Sequence, residues 1–92
     1  MDHKVLHALS LQSPGVAVIE STGTRTAARI LNADGSIRAN IPNPFTLEEG
    51  YEFYYFNDVE GRLEIVLAGT SRDYASIVDE ATGLLSKPHE VR

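Results

Sequence analysis

Two dipeptides, Asp34-Gly35 and Glu60-Gly61, each lie between runs of strand-forming residues, and they commit the middle of this chain to antiparallel hairpins. Glycine at such a position takes the positive φ that a tight hairpin turn requires. The first turn, Asn32-Ala33-Asp34-Gly35, separates Arg25–Leu31 from Ser36–Ile41, and Pro42-Asn43-Pro44 ends that pair because proline cannot donate to a ladder. The second joins the aromatic run Tyr51–Phe56 to Arg62–Leu67, in which Leu63, Ile65 and Leu67 share one face and Glu64 the other. Upstream, Val16–Glu20 is rich in β-branched residues and reads as a further strand, followed by a turn at Ser21-Thr22-Gly23-Thr24.

The ends of the chain are less constrained. Val5–Leu11 fits either a strand or a short helix, since seven residues do not separate the two periods, and Ser13-Pro14-Gly15 interrupts whatever precedes it. Near the C-terminus, Tyr74, Ile77, Val78 and Ala81 fall at i, i+3, i+4 and i+7. This apolar stripe predicts a helix over residues 70–84. Thr70 and Asp73 are placed for a capping box, and Gly83 with Leu84 for a Schellman end. Residues 86–92 then read as a flexible tail. The expected fold is therefore a single α+β domain over residues 1–92: an antiparallel, β-rich core at 16–69, as hairpins or a small barrel, with one C-terminal helix.

A chain of 92 residues supports one core, and burial at that size is modest enough that a homodimer interface would add to stability. The hydrophobic fraction of 42% is that of a globular protein and argues against disorder. The absence of cysteine removes disulfides, thiolate metal sites and cysteine nucleophiles together. No apolar run approaches a membrane span, and the N-terminal stretch is a poor signal peptide, so a cytoplasmic protein is expected. The net charge of −5 is unevenly spread. Residues 25–40 carry Arg25, Arg29 and Arg38 against Asp34 alone, whereas residues 41–69 carry six carboxylates against Arg62. Phosphate binding draws on a basic footprint, and the first hairpin is the place for one.

Catalytic constellations are weak. His3 and His7 have the i, i+4 spacing of a helical metal site but need that segment to be a helix. Ser21-Thr22-Gly23-Thr24 lacks the Gly-Lys-Ser/Thr ending of a phosphate loop. No pair of carboxylates is placed for acid–base work. Neither an enzyme, a metal nor a cofactor is expected. The rings of Tyr51, Phe53, Tyr54, Tyr55 and Phe56 fall on both parities of one strand, so one face packs on a core and the other is covered or binds.

Arg38-Ala39-Asn40-Ile41-Pro42, then Leu47-Glu48-Glu49-Gly50, then Gly61-Arg62-Leu63-Glu64-Ile65-Val66-Leu67 follow the order of the swapped-hairpin domain. Over residues 29–67 the chain resembles the AbrB/MazE-like family of transcription regulators and antitoxins. Tyr51 stands where that family often has Asp, and Ile37 where it often has Gly. The resemblance implies a dimer that binds DNA through Arg38, with Arg29 and Arg25 on the neighbouring strand. A different class is carried by the acidic, aromatic hairpin. There Glu49, Glu52, Tyr54, Phe56, Asp58 and Glu60 would let a small phage- or plasmid-type protein block or adapt a protein partner, whether a toxin or another target. A structural subunit of an assembly would have the same sequence character.

Overall fold

The computed structural model describes residues 4–91 and is built from two four-stranded antiparallel sheets. The first contains β1 (Lys4–Ser10), β2 (Gly15–Ser21), β3 (Thr26–Asn32) and β4 (Ile37–Ile41), paired in chain order. A 3-10 turn over Leu47–Glu49 leads to the second: β5 (Glu52–Val59), β6 (Arg62–Ala68), β7 (Asp73–Ile77) and β8 (His89–Glu90), again in chain order. The ambiguous N-terminal segment is thus a strand, which removes the helical face that a His3–His7 metal pair needs; His3 itself lies outside the described residues. His7 instead accepts a hydrogen bond at Nδ1 from the Phe56 amide, tying β1 to β5.

Register explains which residues meet in the core. Across the first sheet, Leu9, Ala17, Ile30 and Ala39 form one inward row, and His7, Ile19, Ala28 and Ile41 the next. Large and small side chains alternate along the first row, and Ala28 sits between Ile19 and Ile41 in the second, which suits an interdigitating layer. The second sheet contributes Phe53, Phe56, Leu63, Ile65, Leu67 and Val78 to the same cluster. Ile19, Ile30, Ile65 and Leu67 are fully buried, each contributing about 1.5–3 kcal/mol relative to exposure. Phe45, Tyr51 and Tyr74 close one end as an aromatic group, with Phe45 stacked on Tyr51 at 4.2 Å. Ser76 lies among these apolar groups, and its hydroxyl has no hydrogen-bond partner among the described residues.

Three register shifts fall on edge strands. The chain bulges at Leu6 in β1, Arg38 in β4 and Tyr54 in β5. The bulge at Tyr54 resolves the double parity of the aromatic run. Phe53 and Phe56 both point into the core, opposite Leu67 and Ile65, while Tyr55 opposes Val66 on the outer face and Tyr54 is exposed. The fourth edge, β8, is two residues long. Bulges and shortness both suppress strand addition at an open edge.

The predicted helix over 70–84 is overturned. Residues Asp73–Ile77 form β7, hydrogen-bonded to β6 from Glu64↔Ile77 to Ala68↔Asp73, and among the described residues the one helical element is the 3-10 turn. Accordingly the fold is all-β rather than α+β. The apolar stripe was real, but Tyr74, Ile77 and Val78 are also strand-forming residues. Pairing with β6, whose Ile65, Val66 and Leu67 are buried on both faces, outweighs a local helical preference. Gly83 does take the left-handed conformation (φ 78°), but it closes the turn Asp79–Gly83 rather than a helix, and Leu84 is exposed. Leu85 bridges Val78, and within residues 86–92 the Ser86 amide donates to the Ile77 carbonyl and β8 lies on β7.

Two turns offer tests. Glu60 is the one non-glycine residue with positive φ (54°) among the described residues, and with Gly61 (φ 82°) it forms the two-residue hairpin turn that prefers Asn-Gly. Glu60→Asn is expected to raise stability by about 0.5–1 kcal/mol in urea unfolding. In the turn that replaces the helix, the Ala81 and Thr82 amides donate to the Asp79 carboxylate and hold it below the usual carboxylate range. That stabilisation is present above the unfolded carboxylate pKa and is lost as pH falls through the lower folded value. Asp79→Asn should therefore flatten the acid side of the urea-midpoint profile.

Candidate protein-binding surface

The three arginines nominated for DNA do not converge. Arg25 sits at the β2–β3 turn and Arg38 at the opposite end of the sheet, with Arg29 on β3 between them. Seven residues of β3 at about 3.3 Å each separate the two ends by roughly 20 Å. Each guanidinium already has a partner. Arg25 is ion-paired with Glu52 across the sheets; its Nε is buried and makes no aligned hydrogen bond, so the attraction is Coulombic. Arg29 is ion-paired with Glu20 on β2, with Nε donating at 2.9 Å.

Arg38 serves the fold. Its Nε donates to Asn32 Oδ1 at 2.7 Å, its Nη1 to Ser13 Oγ at 3.3 Å, and its Nη2 to the Pro14 carbonyl. The guanidinium lies over Gly15, where a Cβ would collide with it and with the Leu31 carbonyl. The β4 bulge thus aims Arg38 back onto the β1–β2 turn.

The acidic hairpin is likewise dispersed. Phe56 is in the core. Glu52 accepts from both the amide (2.8 Å) and the hydroxyl (2.7 Å) of Thr26, in addition to pairing with Arg25. Glu49 completes a capping box with Thr46, and Asp58 accepts from the Gly61 amide. Tyr54 is the exposed ring of the set, 57% accessible, and Glu60 is exposed at the hairpin tip.

The surface that does assemble is the outward face of the first sheet. Registry places Val5, Glu20 and Ala27 in one row; Ala8, Val18, Arg29 and Asn40 in the next; and Ser10, Val16, Leu31 and Ile37 in the third. Ile37 and Val5 are 53% and 55% exposed, large values for aliphatic side chains in strands. Glu20 and Arg29 are the formal charges in these rows. They line an open groove of about 340 Å³ together with Ala27, Asn40, Asn43 and Phe53. Aliphatic side chains exposed to this degree on a sheet face are candidates for association. A signal for it was present in Val16-Ala17-Val18-Ile19, where both parities are apolar, as expected for a strand covered on both sides.

No family model, curated protein or solved structure matches the chain. Among the described residues no group of histidines and carboxylates could hold a metal ion, and no helix is long and apolar enough to cross a membrane.

The position of Arg38 gives a direct test. Arg38→Ala should lower stability by about 1–2 kcal/mol, through loss of charge-assisted hydrogen bonds to three partners. Unchanged urea unfolding would free this side chain for another role.

Proposed function

We propose that this chain is a small protein-interaction module that works by surface complementarity, blocking or adapting a protein partner through the outward face of β1–β4. The observation that carries this reading is the outward row of Val16, Leu31 and Ile37, with Val5 on the same face, where Ile37 and Val5 are more than half exposed. Bulges at three edges and the shortness of the fourth direct association to a face instead of to strand addition. Tyr54 and Glu60 lie on the other sheet and would form at most a separate contact. The engagement of Arg25, Arg29 and Arg38 in separate local pairings favours this reading over a DNA-binding regulator, because a phosphate contact would have to displace each existing partner.

The experiment compares partner capture by the wild-type chain with capture by Ile37→Glu and by Tyr54→Ala, and in parallel measures retention on mixed double-stranded DNA at two salt concentrations. Ile37→Glu should lose the partner while Tyr54→Ala keeps it. Loss confined to Tyr54→Ala would move the site to the second sheet. Salt-sensitive retention on DNA would replace the interaction reading with the regulator.

A further inference from the structure

We infer that the protein partner of this face is a second copy of the same chain, docked face to face about a two-fold axis, so that any other target would have to compete with the copy; this rests on the interaction reading above. A two-fold contact presents one patch to itself, so every charge in the patch must find its opposite within the same patch. The outward rows of the first sheet meet that condition. Their formal charges are one carboxylate, Glu20, and one guanidinium, Arg29, on adjacent strands. Rotation about an axis passing between them brings Arg29 of one copy toward Glu20 of the other and the reverse. The half-buried ion pair then becomes a four-membered network without adding net charge.

The rest of the surface disfavours other arrangements between copies. The chain carries −5 overall. The outward face of the second sheet holds Glu64 and Asp73 against Arg62, with Glu52 at its corner paired to Arg25 of the first sheet. Two such faces would meet with a net negative balance, whereas two first-sheet faces are neutral. Docking through the first sheet keeps the acidic sheets outermost and farthest apart. It also covers Val5 and Ile37, the most exposed aliphatic side chains of the face.

Sedimentation equilibrium of the full chain tests this with complementary charge reversals. Wild type is expected to sediment as a dimer. Glu20→Arg alone places two cations in each patch, and Arg29→Glu alone two anions, so each variant should be monomeric at concentrations where wild type is dimeric. An equimolar mixture of the two should recover the dimer mass, because every cation then faces an anion. The internal pair is half-buried, so each reversal removes a stabilising contact; circular dichroism of each variant checks that the fold survives, and recovery of the dimer mass by the mixture is a result that misfolded chains would not give. Ile37→Glu, at an exposed position, should weaken the dimer by about tenfold or more.

Wild type that remains monomeric at every concentration, or single reversals that dimerise as well as wild type, would overturn the proposal. A monomeric wild type whose partner capture still depends on Ile37 would remove the second copy while leaving the interaction reading intact. Loss of both self-association and capture would remove the two together.

Discussion

Everything in this fold depends on the packing of β5 across the first sheet. β5 touches β1, β2 and β3, so it is the strand that makes two meanders into one body. Its Phe53 and Phe56 enter a core whose other wall alternates isoleucine with alanine, so the alanines leave volume for rings. A larger residue at Ala17 or Ala28 would overpack that wall. The corner is fastened by polar contacts that also point to β5. The Thr26 hydroxyl accepts from the Phe53 amide, Glu52 accepts from Thr26, and His7 accepts from the Phe56 amide. Amides on an edge strand would otherwise face out unpaired. Of the acidic, aromatic hairpin, Glu52 and Phe56 are therefore occupied in joining the sheets, while Tyr54 and Glu60 stay exposed.

The same economy of charge runs through the first sheet. Arg25, Arg29 and Arg38 are close in sequence and give that hairpin a positive balance, yet each meets a different environment. Arg25 pairs across the sheet–sheet corner, Arg29 across a strand diagonal, and Arg38 against the carbonyl and hydroxyl of a neighbouring turn. Strand geometry is the cause. Residues at opposite ends of a seven-residue strand are too far apart to act on one ligand group, and a bulge at Arg38 turns its side chain away from the row that carries Arg29. What remains on the outward face is one balanced ion pair among small and aliphatic side chains, of which Val5 and Ile37 are more than half exposed.

Much of the β architecture was legible because its signals are local. The Asp34-Gly35 and Glu60-Gly61 turns, the termination at Pro42 and the alternation of Leu63, Ile65 and Leu67 all depend on residues within one hairpin, and each holds. The capping chemistry at Thr46 and Glu49 is equally local, though it organises a 3-10 turn rather than a longer helix. The misreading of 70–84 has a specific origin. Five residues, Tyr74 to Val78, satisfy a helical stripe and a strand equally well, and the decision belongs to β6. The Phe53/Phe56 inward pair was hidden for a related reason, since a bulge changes parity without leaving a mark in composition.

By itself the sequence determined a single cysteine-free, acidic chain, the positions of its tight turns and the strands beside them, because backbone sterics at glycine and proline act over a few residues. Only the tertiary structure decided that the C-terminal segment is a strand, that the three arginines are engaged in separate places, and that Val5 and Ile37 are left exposed on one sheet face. Those outcomes depend on which strand edge and which charge lie opposite, and such neighbours are distant in the chain until the two sheets close on each other.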